Sequence, residues 1–251
     1  MDHELTTMWL SIDPMSDKYP SISPYSYCAW NPVKLVDPDG RDVWEINKKG
    51  KVVNHIVTNE TDAFYIVDDE GKRVEGKMID FEYGTVSSDN TKRNQCNIYK
   101  NKEGKEEKAM LDWYGLRGDE NGKCLFEFLS QNTDVEWGLL QMGEKGANGL
   151  NVVGTSHRNS SERSIKFLWD KKFKFGYSIR AFNHSHPSNT AKPSSSDVSL
   201  AGDVENNARE RNSIVPTFNI YLPGNNQYVP YSSISTPANV TELPAITVKP
   251  R

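Results

Sequence analysis

Between residues 14 and 38 a proline recurs every four to eight positions, at Pro14, Pro20, Pro24, Pro32 and Pro38. Proline removes a backbone donor and fixes φ, so neither a helix interior nor a central strand survives that spacing. The stretch "WLSIDPMSDKYPSISPYSYCAWNPVKLVDPDGRD" reads as an extended, turn-rich ribbon, and its aromatics Trp9, Tyr19, Tyr25, Tyr27 and Trp30 need a partner surface. A hydrophobic core has to come from the residues beyond this ribbon.

From Asp42 the texture changes to alternating apolar and polar residues broken by glycine. "VWEINKKGKVVNHIV" and "AFYIVDDEGKRVEG" read as two hairpins, with Lys49-Gly50 and Glu70-Gly71 placed where tight turns need a positive φ. Residues 42 to about 85 are expected to form a small β module, and the polar residues 86 to 108 a linker or mobile loop. From about Ala109 to residue 235 a single core is expected. "CLFEFLSQN" has helical spacing, "VEWGLLQMG", "GLNVVGTSH" and "FKFGYSIRAFNHSHP" read as strands, "SSSDVSLAGDVENNARER" as a helix opened by capping serines, and "SIVPTFNIYLPGNNQYVPYSS" as a hairpin. That order is an α/β (α+β) domain. The tail, residues 236 to 251, offers a short apolar run between prolines and no functional reading.

Charge and composition narrow the function. A net charge of −4 argues against a protein built to hold nucleic-acid phosphates. No apolar run approaches the roughly 18 to 20 residues of a membrane helix, and the first residues lack the basic region and apolar stretch of a signal peptide. The chain is expected to stay in the cytoplasm where it is made or to leave as part of something larger. Cys28, Cys96 and Cys124 are odd in number and far apart, which suits ordinary thiols.

The chemistry concentrates in "FNHSHPSNTAKPSSSD", residues 182 to 197. On a strand, residues i and i+2 face one side, so His184 and His186 present both imidazoles to one point. Pro187 ends the strand, and the chain loops to Asp197 at a helix start, where a carboxylate can return to the same metal. Two imidazoles and one carboxylate leave a fourth position open, the pattern of a catalytic zinc (Zn2+) site rather than a structural one. His3, His55 and His157 lie outside any motif and are expected at the surface. Asn183 is placed on the solvent side of its strand, and Ser195 and Ser196 are read as loop and capping residues.

The pattern HxHP, six residues, SxxD resembles the signature of the JAMM (JAB, MPN+) metalloproteases, matched at His184, His186, Pro187, Ser194 and Asp197. The resemblance implies a mixed sheet flanked by helices, with His184, His186 and Asp197 as zinc ligands. It also implies a glutamate on an upstream strand, and "EWGLLQMG" supplies Glu136, with Gly138 one place earlier than in the family pattern. Glu136 would deprotonate the attacking water and deliver the proton to the leaving amine, and Ser194 would donate to the developing oxyanion. The implied substrate is a protein or peptide amide, often an isopeptide to ubiquitin or a relative. Three other readings compete. A histidine-based nuclease is disfavoured by the acidic pI and by the absence of a basic cluster near the motif. A zinc deaminase would need an HxE and a PCxxC that do not occur, and a non-catalytic binding module would have lost a ligand.

"NPVKLVDPDGR" resembles the PxxxxDPxGL junction at the end of the Rhs repeat-associated core, through Pro32, Asp37, Pro38, Asp39 and Gly40, and the likeness covers residues 8 to 41. In that family the junction precedes a C-terminal toxin. The shell often cuts itself after a final leucine, whose place is taken here by Arg41. The resemblance implies a polymorphic toxin exported as part of an Rhs-type effector from a bacterial cytoplasm, with a cognate immunity protein.

Overall fold

The computed structural model describes residues 41–236 except 59–60, 102 and 174–175. The proline-rich ribbon, the Rhs-like junction up to Gly40 and the tail beyond residue 236 lie outside the described residues.

The chain opens with two hairpins. Strands β1 (Arg41–Asn47) and β2 (Val52–Thr58) pair antiparallel, as do β3 (Asp62–Val67) and β4 (Arg73–Phe81), and β1 and β3 run parallel in the order β2-β1-β3-β4. The β1–β2 turn closes because the Asn47 Oδ1 accepts from the backbone N–H of Lys49 (3.0 Å) and Lys51 (3.1 Å), with Gly50 at φ +68°. A Cβ on Gly50 would lie 2.7 Å from Val135 Cγ2, so the turn tip can press against the segment that leads to Glu136. The Asp134 N–H donates to the Lys48 carbonyl at 2.7 Å across the same contact.

A seven-stranded sheet comes next, in the order β11-β10-β9-β7-β8-β6-β5. Its strands are β5 (Val86–Lys100), β6 (Glu106–Arg117), β7 (Trp137–Met142), β8 (Leu150–Thr155), β9 (Ile179–Ser185), β10 (Thr217–Leu222) and β11 (Gln227–Tyr231). Neighbours are antiparallel except β9 and β10, which run parallel, so the sheet is mixed. Three helices complete the fold, α1 (Asp119–Asn132), α2 (Ser164–Leu168, continued by a π-helical turn over Trp169–Phe173) and α3 (Ser195–Glu210).

Period-two alternation sends each strand's side chains to two cores. On one face Tyr114, Trp137 and Val153 meet Leu125 and Phe126 of α1 and Trp44 and Phe64 of the small sheet. Aromatic contacts join the two sheets directly, with Phe64 and Trp44 both edge-on to Tyr114 at 5.0 and 5.7 Å between centroids. On the other face Trp113, Leu140 and Phe182 meet Ile165 of α2 and Ala201 and Val204 of α3.

Several expectations are corrected. Residues 86–100 and 106–108 belong to β5 and β6 and are not a linker; β5 is an edge strand with polar side chains on its open side and register shifts at Ser87/Lys92 and Lys92/Gln95. Helix α2, which falls between two stretches read as strands, has no counterpart in the sequence reading. His157 is 7% exposed and faces Asp112 across 3.4 Å, and His55 stacks on Trp44 and meets Asp42 at 2.9 Å, so neither is a surface histidine. Asn183 is buried and accepts from Asn219 Nδ2 at 2.8 Å. Cys96 and Cys124 are free thiols. Among the described residues no helix is long and apolar enough to cross a membrane.

Candidate metal centre

Strand β9 carries His184 near its C-terminal end, and β10 continues the pairing beyond it, since the His186 N–H donates to the Tyr221 carbonyl at 2.9 Å. Both imidazoles are thereby held over the face covered by α2 and α3. His184 Nε2 lies 3.0 Å from His186 Nε2 and 3.6 Å from Asp197 Oδ2. One ligand atom from each of the three residues falls within 4.8 Å of the other two. Two imidazole nitrogens aimed at one point and one carboxylate oxygen are the donor set of a divalent transition metal.

The surroundings fit that assignment. His186 Nδ1 donates to the Thr190 carbonyl at 2.6 Å, which fixes the proton on Nδ1 and leaves Nε2 as an electron-pair donor. Burial and the nearby His184 lower the His186 pKa and favour that neutral form. Tyr231 packs edge-on to His184 at 5.7 Å and holds its ring. Burial alone would raise the Asp197 carboxyl, but His184 and the hydrogen bonds from Ser194 hold it well below the usual carboxylate range.

Asp197 is placed by helix capping. Ser194 is the N-cap of α3, its Oγ accepting from the Asp197 N–H at 3.2 Å while its own N–H donates to Asp197 Oδ2 at 2.6 Å. This reciprocal pair is a capping box. Ser195 and Ser196 are therefore the first residues of the helix, and the cap is Ser194. The Ser194 oxygen accepts, and its O–H remains able to donate.

Glu136 immediately precedes β7. Gly138 pairs with His184 across the antiparallel β7–β9 ladder, so two residues earlier Glu136 comes opposite His186 on the same face. Its backbone is fixed on both sides, the N–H donating to the Arg158 carbonyl (2.7 Å) and the C=O accepting from Thr155 Oγ1 (2.8 Å). The next N–H, of Trp137, donates to Ser185 Oγ at 3.0 Å. Glu136 is 6% exposed. Burial pushes its carboxyl up to about 7, with Asp197 and Glu162 adding to the rise and His184 and the Glu162 N–H opposing it.

Glu136, His186, Ser194 and Asp197 line one cleft of about 800 Å³, within the range of ligand sites. The fold thus brings together all five residues singled out in the sequence, with His184 just behind the cleft wall. It also adds residues that spacing could not reveal. Glu162 accepts from Ser164 Oγ, Ser164 N and Ile165 N at the start of α2, and its backbone N–H is near enough to the Glu136 carboxyl to lower its pKa slightly. Its one legible trait was an acid before a serine, a helix-start signal. Basic side chains absent from the motif's sequence neighbourhood, Lys100, Arg158, Arg163 and Lys166, also reach the cleft. Five acids, Glu107, Glu136, Glu162, Asp197 and Asp203, line it with them.

A mixed α+β domain with a His/His/Asp group over one sheet face is the class that fold and site define. Residues 114–208 match the family described as JAB-like toxin 1, and that span carries Glu136, His184, His186, Ser194 and Asp197. The chain is similar to that family over this stretch, and the mixed sheet with its three helices is consistent with a JAB-like fold. Neither a curated protein nor a solved structure matches the chain.

Proposed function

We propose that this protein is a zinc-dependent amide hydrolase of the JAMM type acting as a toxin. The observation that carries the reading is the convergence of His184 Nε2, His186 Nε2 and Asp197 Oδ2 in a cleft that also holds a buried carboxyl with a pKa near 7. Those three atoms would hold the metal. Zinc bound there would supply a Lewis acid that polarises the scissile carbonyl and makes a water acidic near neutral pH.

The chain's own residues supply proton transfer and charge stabilisation. Glu136, with a pKa near the working pH, takes a proton from water on its carboxylate and returns it to the leaving nitrogen, the condition under which one group serves as base and then acid. Ser194 donates its O–H to the oxygen that gains charge, a bond that strengthens in the transition state. On this reading the substrate is a protein or peptide amide, including a ubiquitin-like conjugate joined through lysine. The Rhs-like junction supports delivery as the end of an exported effector and neutralisation by an immunity protein.

Zinc content and cleavage of a panel of linear and isopeptide-linked substrates test the proposal together. Glu136→Gln is expected to keep stoichiometric zinc and lose about 10² to 10⁴ in rate. His186→Ala is expected to lose both. Equal cleavage by wild type and His186→Ala would rule the mechanism out.

A further inference from the structure

Arg163 is the one arginine of this cleft without an acceptor. Arg158 beside it meets Glu107 at 3.4 Å, and elsewhere Arg73, Arg180 and Arg209 each hold a carboxylate. The Arg163 side chain makes no hydrogen bond and no ion pair among the described residues, and its Nε is sealed from water without a partner. Its guanidinium carbon Cζ lies over the Tyr99 ring, 3.5 Å from the centroid. Tyr99 is itself fixed, its hydroxyl donating to Glu107 Oε2 at 2.5 Å, and Glu107 also accepts from Asn101 Nδ2 at 3.0 Å.

A guanidinium in that state is incomplete. The sealed Nε is out of a ligand's reach, but the two Nη groups also lack an acceptor and are not sealed, so they are the part of the fork that a molecule in the cleft can meet. Stacking on an aromatic face orients the plane and leaves the Nη edge free to donate, and Arg163 lines the cleft. The planar partner that matches two parallel N–H donors is a carboxylate. Position supports the same ligand, because Arg163 and the preceding Glu162 line the cleft together with Glu136 and His186.

We propose that Arg163, held against Tyr99, is a specificity subsite for a carboxylate of the substrate, so that the molecule cleaved carries an acidic side chain or a free chain end close to the scissile amide. The proposal rests on the amide-hydrolase reading for its meaning in catalysis, but the subsite exists as a binding property of the folded chain.

The sealed Nε makes a direct test possible, since its proton exchanges slowly and gives a side-chain ¹⁵N signal assignable by its loss in Arg163→Gln. The full chain, with zinc and with chelator, is titrated with N-acetylglutamate α-amide, its neutral match N-acetylglutamine α-amide, and N-acetylglycine. The expected result is a saturable shift of the Arg163 signal with a carboxylate ligand and none with the glutamine compound. Tighter binding of the glutamate compound identifies a side-chain carboxylate, and tighter binding of N-acetylglycine identifies a chain end. Arg163→Gln and the charge-preserving Arg163→Lys are each expected to weaken binding by about tenfold or more, with the backbone amide spectrum showing an intact fold. Binding equally strong in both variants, or no shift in wild type, overturns the subsite and reduces Arg163 to a clamp on Tyr99. Binding is read without turnover, so absence of peptidase activity would count against the amide-hydrolase function and leave the subsite standing. Intact cleavage with no carboxylate preference would do the reverse.

Discussion

Arg180 lies near the start of β9, as His184 lies near its end, and it fixes the strand to the other side of the molecule. Its Nη2 donates to Asp119 Oδ1 at 2.6 Å, and the Gly146 N–H donates to Asp119 Oδ2 at 2.9 Å. Burial would raise the Asp119 carboxyl, but Arg180 and the Gly146 N–H outweigh it and lower the pKa. A carboxylate whose folded pKa is depressed contributes stability above its unfolded value of about 3.9, and that contribution is lost as pH falls through the folded value. Asp119→Asn is therefore expected to lower stability by about 2 kcal/mol at pH 7, with the gap closing toward pH 3 and below. Urea denaturation of both chains at the two pH values measures it, and a constant gap would contradict the assignment.

Helix α2 shows why part of the site was legible and part was not. His184, His186, Ser194 and Asp197 were readable because one strand, one loop and one helix start hold them at fixed spacing, and local geometry brings them together. Glu162 and Arg163 belong to a connection with a five-residue helix, too short to show a period, and nothing in the sequence relates them to Glu136. The small sheet's hairpins were legible from alternation and glycine turns, whereas β5 was not. An edge strand packs one side at most, and two register shifts break what alternation it has. The displaced Gly138 acquires a reason here. A Cβ at that position would collide with Ile165 Cγ1 and lie 2.9 Å from Glu162 Oε2, so glycine lets α2 approach the sheet and set Glu162 beside Glu136. Gly138→Ala is expected to cost about 1–3 kcal/mol and to slow cleavage while zinc affinity is kept, because the ligands come from the end of β9, the residue that follows it and the start of α3. Thermal melts with zinc titration test this, and an unchanged melting temperature would exclude the close approach.

At the scale of the molecule, the β module and the sheet that carries the site are one folding unit. The described residues, 41–236, form a single compact body, and Trp44, Phe64, Tyr114 and Trp137 lie in a shared core. A chain beginning at Ala109 would lose β5 and leave Tyr114 and Phe126 facing water. It is expected to bind a hydrophobic dye and melt without cooperativity, whereas one beginning at Arg41 melts in a single transition. A cooperative melt from the shorter chain would show the shared core to be dispensable. The capping box at Ser194 has a consequence at this scale as well. Asp197 takes up its orientation when α3 forms, through bonds that require no ion, and the His186 ring is oriented by the Thr190 carbonyl in the same way. The rotational freedom of these ligands is surrendered during folding and not at the moment of capture. In this protein, unlike a zinc finger, the chain comes to order first and the ion arrives at a site already set.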